Sequence, residues 1–349
     1  MGNSKGKKLF FYMFIFFVLL TAVFFFIGTR LGFHLQRNIV FSIICSLLIT
    51  IAGAIFIAAN LGFNLALNSK KSTIDDLDLG GGYTKDAYEK IDKNKRLFNS
   101  LRFETMHIKS DDGLTLTGYF VPAETNSDKL AVLAHGFAVD AKNTGDLACF
   151  FHSQGFHVFA ADDRAHGKSE GKYRGMGWLD RKDYLKWMDV LIQKLGKNVR
   201  IILQGASMGG ATVMMLSGEK LPDNVKAVIA DCGYTSAKEE FMYQIKHQFP
   251  HFPKFLVNLV SLEAKIRAGY SLEEASALKQ VKKSKVPIFF IHGDSDSFVP
   301  VGMVYKLHEA ANCEKRLWVV PGAEHGLSYN VAEAEYEKRI KEFYGRYIK

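Results

Sequence analysis

Two patterns of apolar residues divide the chain. The first is continuous. Residues 9–27 form a 19-residue run without charge, and residues 39–59 form a 21-residue one. At about 1.5 Å per helical residue, each spans the roughly 30 Å hydrocarbon core of a bilayer. Both are apolar all round, which does not suit a helix on a soluble core. The first run is too long for the apolar core of a signal peptide, and Thr-Ala-Val-Phe-Phe-Phe is a poor cleavage site. Two transmembrane helices are predicted.

The second pattern alternates. From about residue 101, candidate strands are 102–109, 116–121, 129–134, 157–161, 199–204, 227–230, 287–291 and 316–319. The later ones are short, apolar throughout and rich in Val, Ile and Phe, as strands buried on both faces are. Between them lie helix candidates at 143–154, 179–195, 208–220, 301–311 and 331–347. The turn Ser110-Asp-Asp-Gly113 joins the first two strands as a hairpin. Such alternation predicts an α/β domain, with eight strands in a mostly parallel sheet flanked by helices. The domain is placed at 101–349, after a membrane anchor at 1–63. Residues 64–100 read as a connector, a solvated tether with Gly80-Gly-Gly82 as a flexible point and a helix over 85–100 leading onto the domain. One interval, 235–285, holds no strand candidate. It places Phe241, Ile245, Phe249, Phe252, Phe255, Leu256, Leu259 and Leu262 at helical spacing. Lying between the sixth and seventh strands, it is expected to be a helical lid.

Charge sharpens the division. The net charge is +9, yet residues 1–60 hold no Asp or Glu and five basic residues, Lys5, Lys7, Lys8, Arg30 and Arg37. Removing those five leaves +4 for the rest. The excess is therefore in part a topology signal, and nucleic acid is not expected as a partner. Lys5, Lys7, Lys8, Lys70 and Lys71 outnumber Arg30 and Arg37 of the hinge. That favours a hairpin with both ends, and the domain, in the cytoplasm. If only one run spans, the domain faces outward. Cys45 lies in the second span. Cys149, Cys232 and Cys313 form no CxxC pair and read as buried thiols. There is no P-loop, HExxH or GxGxxG, and the histidines at 247 and 251 offer no credible metal set. No cofactor or metal is expected.

The candidate chemistry starts at Gly205-Ala-Ser-Met-Gly209. It follows an apolar strand and opens a helix, the context of a strained elbow that presents Ser207 as a nucleophile. A serine hydroxyl needs a base that a third group orients. His325, in Gly322-Ala-Glu-His-Gly326, sits just past the last strand, and the Ser-acid-His chain order selects it. The acid is expected after the seventh strand, in His292-Gly-Asp-Ser-Asp-Ser-Phe-Val-Pro300. Asp296 is the first choice, with Asp294 and Asp231 as alternatives. Two backbone N–H groups should form an oxyanion hole, one on Met208 and the other on Phe137 in His135-Gly-Phe. His135 is expected to shape that loop.

His135-Gly-Phe, Asp162-Asp-Arg-Ala-His-Gly-Lys-Ser169, Gly205-Ala-Ser-Met-Gly209, His292-Gly-Asp-Ser-Asp-Ser-Phe-Val-Pro300 and Glu324-His-Gly occur in the order seen in α/β-hydrolases. Over residues 101–349 the chain resembles the bacterial membrane-tethered branch that is similar to serine aminopeptidases and monoacylglycerol lipases. The resemblance implies the α/β-hydrolase fold and puts the acid on the second Asp of the HGDxD segment, Asp296. It also implies that Arg164 and His166 hold a loop. The family has Gly where this chain has Ala165. Alanine is disfavoured at positive φ, so a different local turn is expected there.

These readings converge on a membrane-anchored serine hydrolase that cleaves carboxylic esters through an acyl-enzyme. The Phe-rich lid suggests an apolar or lipid-like substrate. An aminopeptidase or amidase would use the same three side chains, and would want an acidic pocket for a substrate amine. A tethered binding protein on an inactive hydrolase fold is the alternative of another class.

Overall fold

The computed structural model describes residues 2–70, 85–248, 250 and 253–348. It divides into two compact units, Met1–Gly62 and Phe63–Lys349.

The first unit is built from α1 (Gly2–Arg30) and most of α2 (Leu35–Leu67). Both helices are long and apolar enough to cross a membrane, by length and composition. Several of their hydroxyl and amide donors are satisfied within the unit. Ser42, Ser46 and Thr50 each donate a hydroxyl to the carbonyl four residues back. Asn38 Nδ2 donates to Phe25 O and Thr29 Oγ1, 2.9 Å each, and so ties the two helices together.

The second unit holds one eight-stranded sheet in the order β1-β2-β4-β3-β5-β6-β7-β8. The strands are β1 (Glu104–Lys109), β2 (Thr115–Val121), β3 (Lys129–Ala134), β4 (His157–Ala161), β5 (Arg200–Ala206), β6 (Val225–Asp231), β7 (Ile288–Gly293) and β8 (Lys315–Val320). β1 and β2 form the expected hairpin and β2 pairs antiparallel with β4, while every other pair is parallel. All eight expected strands are present. Val132, Phe159, Leu203, Val228 and Phe290 are fully buried, because helices cover both faces.

After α3 (Lys85–Ser100) come α4 (Gly145–Ser153), α5 (Asp180–Leu195), α6 (Met208–Ser217), α7 (Ala237–Gln248), α8 (Lys254–Ala268), α9 (Ala277–Val281), α10 (Gly302–Ala310), α11 (Ser328–Val331) and α12 (Glu333–Tyr344). A 3₁₀ turn, Ala141–Thr144, precedes α4, where the Asp140 carboxylate accepts from Lys142 N.

The connector is not a solvated tether where it is described. Phe63 and Leu67, at the end of α2, are fully buried in the second unit. Phe63 packs edge-on against Tyr173 and under the Arg267 guanidinium. The helix expected over 85–100 is α3, and it belongs to the domain: Phe98 is fully buried and Asn94 nearly so. Gly145 allows this packing. A Cβ there would stand 2.8 Å from the Asn94 carbonyl carbon and 2.9 Å from Phe98 N. The Gly80–Gly82 point lies outside the described residues.

The stretch between β6 and β7 is helical, as expected, but its apolar residues face two ways. α8 buries Leu256, Val257, Val260, Ser261 and Ala264. Phe255 and Leu262 are exposed on its other side. Phe249 and Phe252 lie outside the described residues. α7 is clasped to the loop after β7, with Tyr243 OH donating to Ser297 O (3.2 Å) and Gln244 Nε2 to Phe298 O (2.6 Å).

Candidate active site

Ser207 stands between β5 and α6 with φ +58° and ψ −122°, a conformation that costs a residue with a side chain about 1–3 kcal/mol. The surroundings hold it there. Ser207 N donates to Asp231 O, and Ala211 N donates to Ser207 O, 2.9 Å each. The flanking glycines are sterically required. A Cβ on Gly209 would lie 2.5 Å from the Ala134 carbonyl carbon and 2.8 Å from His135 O. One on Gly205 would lie 2.9 Å from Gly210 N.

His325, on the loop after β8, places Nε2 2.8 Å from Ser207 Oγ and Nδ1 2.8 Å from Asp296 Oδ2. The other oxygen of Asp296 accepts from Phe298 N (3.0 Å) and Val299 N (2.8 Å), and His292 Nε2 lies 3.3 Å from Oδ2. Burial alone would raise this carboxyl group. The charge of His325 and hydrogen bonds from His292 and His325 outweigh burial, and hold it well below the usual carboxylate range. Burial likewise opposes charge on His292, but Asp296 pulls its pKa up. An ionised Asp296 requires His325 Nδ1 to donate, which leaves Nε2 free to accept the serine proton. The Phe298 ring lies 4.9 Å from the imidazole.

The two alternative acids bond elsewhere. Asp294 Oδ1 accepts from Gly322 N (2.7 Å). Asp231 accepts from Ser328 Oγ and Tyr336 OH, 3.0 Å each. Each secures one end of the loop that carries His325.

The His135-Gly136-Phe137 loop lies beside Ser207, where a Cβ on Gly136 would be 3.6 Å from Ser207 Cβ. His135 pins it. Its Nδ1 lies 2.7 Å from Gly136 O, and its Nε2 accepts from Asp163 N at 3.0 Å. Burial, reinforced by His135 and Arg174, holds His166 well below its ordinary pKa. The neutral ring accepts Ala138 N–H at Nε2 (3.3 Å) and meets Arg164 O at Nδ1 (3.1 Å). Arg164 in turn bonds Asp183 and Asp112. Arg174 lies over the Phe137 ring at 4.3 Å, and burial lowers its pKa to about 10. Met208 is the first residue of α6, so its N–H has no partner within the helix. The turn at Ala165 is not the altered one expected from the missing glycine. Ala165 itself takes φ +61°, and its N–H donates to Glu170 O at 3.0 Å.

Residues 125–270 match the family described as serine aminopeptidase, S33, a span that includes Ser207 but neither Asp296 nor His325. The chain is 28% identical over 248 residues to the protein YqkD of Bacillus subtilis, covering 70% of this chain and 80% of that one. It is 26% identical over 233 residues to a monoacylglycerol lipase of Mycolicibacterium smegmatis, covering 58% and 82%. Among solved structures, the Pyrococcus furiosus esterase Pf2001 superposes with a TM-score of 0.59 at 26% identity, over 73% of this chain and 94% of that one. The eight-stranded sheet order and these likenesses agree. The chain belongs to the α/β-hydrolase superfamily.

In this hydrolase a cavity of about 90 Å³ opens beside Ser207, between the ends of β3 and β5, the start of α4, the His325 loop and α3. Lys90 and Ile91 of α3 help to line it, in a segment read from the sequence as tether. Ile91 and Phe98, seven residues apart, were the one available hint of a buried face. His292 and Phe298 around the Asp296–His325 pair were also missed. Behind the His135 loop, Asp180 is fully buried. Burial, with Asp163 nearby, pushes its pKa up to about 8. Cys232, Asp296 and His325 bring ligand atoms within 4.8 Å of one another. Burial, then Asp231 and Asp296, raises the thiol well above its ordinary pKa. A protonated thiol beside an already bonded carboxylate–imidazole pair is a poor metal site.

Proposed function

We propose that this hydrolase cleaves carboxylic esters by acyl transfer through Ser207. The observation that carries the reading is the continuous hydrogen-bonded path from Ser207 Oγ through His325 to Asp296. As Oγ attacks the ester carbonyl, His325 Nε2 takes its proton, and Asp296 stabilises the imidazolium. The carbonyl π pair moves onto oxygen, where the N–H groups of Met208 and Phe137 receive it. Collapse expels the alkoxide, which takes the proton from His325. Water, deprotonated by the same imidazole, then releases the acid and restores the serine.

An ester is favoured over an amide because an alkoxide leaves more readily than an amine. The names of the two similar proteins, an esterase and a monoacylglycerol lipase, support that choice. An apolar or lipid-like acyl group fits a chain with two helices suited to a bilayer. The lysine distribution supports a hairpin anchor with the hydrolase unit on the cytoplasmic face. Ser207→Ala should abolish hydrolysis of p-nitrophenyl esters and labelling by a fluorophosphonate. Retained labelling would sink the assignment of the nucleophile. Digestion of the C-terminal unit by protease added to intact cells would overturn the hairpin.

A further inference from the structure

We propose that Lys90 is a positioning residue for the His325 loop, which makes α3 part of the catalytic apparatus. The inference rests on the Ser207–His325 reading above.

The loop is held near its start by Asp294, which accepts from Gly322 N, and by Ser295 N, which donates to Ala323 O at 3.1 Å. It is held at its end by Asp231, which accepts from Ser328 Oγ. Between these anchors the residue after the base is Gly326. Its φ is +70°, and nothing lies within 4 Å of a Cβ built on it. Like Gly322, it is a point of the loop with backbone freedom. The Gly326 carbonyl accepts from Lys90 Nζ at 2.7 Å, across 236 residues of sequence.

The ammonium is aimed by its own partner. Lys90 lies 3.4 Å from Asp146 Oδ2, with side chains 17% and 7% exposed. Asp146 is itself fixed, because its N–H donates to Asn94 Oδ1 at 3.2 Å and its Oδ1 accepts from Leu147 N at 2.8 Å. Asn94 is one turn beyond Lys90 on α3. The pair therefore forms a strut from α4 through α3 to the peptide after the base. Charge-assisted bonds of this kind are short and stronger than neutral ones. Phe98 and Asn94 hold α3 independently, so removing Lys90 takes away the bond on the Gly326 carbonyl while leaving the helix in place; among the described residues that peptide then keeps only the local bond from Leu327 N to Glu324 O, 3.1 Å.

The test uses the full chain in detergent micelles and a short p-nitrophenyl ester. Lys90→Met should lower kcat on the order of tenfold to a hundredfold, the scale of a base displaced by a fraction of an ångström to 1 Å. KM should stay within about twofold, and the fluorophosphonate labelling rate should fall with kcat. Lys90→Arg, which keeps a charged donor, should restore most of the loss. Lys90→Met alone leaves a buried unpaired Asp146 that could impair folding. The double variant Lys90→Met/Asp146→Asn removes that charge and isolates the missing bond to Gly326. It should be as slow as Lys90→Met, with a thermal midpoint near that of the wild type. Wild-type kcat in the double variant, or an Arg variant as slow as the Met one, would overturn the proposal. Ser207→Ala run alongside separates the two readings. If it stays active, the nucleophile is wrong; if it is dead while the double variant is unimpaired, only the role of Lys90 fails.

Discussion

Replacing Gly209 by alanine should cost this hydrolase most of its turnover without touching a reacting group. The new Cβ would stand 2.5 Å from the Ala134 carbonyl carbon, whereas ordinary contact begins at 3.4 Å. The Ala134 carbonyl oxygen would be closer still, so the elbow and the end of β3 must separate by more than about 0.9 Å, and overpacking of this kind costs about 1–3 kcal/mol or more. No flexible side chain can absorb the clash. Ala134 is backbone-paired with Gly205 of β5 and is nearly fully buried. The shift passes to Ser207 or to the His135-Gly136-Phe137 loop, which parts the nucleophile from one oxyanion donor. A misplacement near 1 Å costs on the order of a hundredfold in rate. The assay is kcat and KM for a p-nitrophenyl ester, with the thermal midpoint measured on the same preparation. A roughly hundredfold fall in kcat with a small change in KM is expected. A kcat within threefold of wild type, with the fold intact, would refute the claim that this spacing matters for turnover.

Other positions respond differently. Gly302 opens α10 in open space, so Gly302→Ala should stabilise the domain by about 0.4–1 kcal/mol through the unfolded chain and leave kcat unchanged. A lower thermal midpoint would contradict that. Asp180 is held neutral by burial, with a pKa raised to about 8 from 3.8. The folded state then binds the extra proton between those values, so this group makes stability fall as pH rises from about 4 to 8. Asp180→Asn should flatten that fall by up to about 1.4 kcal/mol per pH unit. Unchanged pH dependence of the unfolding midpoint would refute the neutral carboxyl.

The sheet was legible because strands buried on both faces leave apolar runs that read no other way, as 199–204 and 287–291 do. The elbow at Ser207 was legible for a related reason, since a tight turn between strand and helix demands small residues on both sides. Asp296 was the first choice over Asp294 and the family resemblance supported it, but two carboxylates two residues apart share one strand-end context. The work of Asp294 and Asp231 as anchors of the His325 loop was invisible, because it depends on which backbone N–H or hydroxyl each one meets. α3 was misread for a physical reason. Its docking rests on one fully buried aromatic, Phe98, and otherwise on a polar residue, Asn94, on an ion pair and on a glycine 51 positions away in α4, which leave little hydrophobic pattern. Ala165 was misread because an alanine can be forced into the left-handed region when the chain around it is fixed.

The central claim is that Ser207, activated by His325, forms the acyl-enzyme. Mass spectrometry of the intact protein after fluorophosphonate treatment tests it most directly, comparing wild type, Ser207→Ala and His325→Ala. The account predicts one adduct on the peptide containing Ser207 in the wild type, none in Ser207→Ala, and a strongly slowed adduct in His325→Ala. An adduct that persists in Ser207→Ala, or a wild-type protein that forms none while hydrolysing esters, would contradict it.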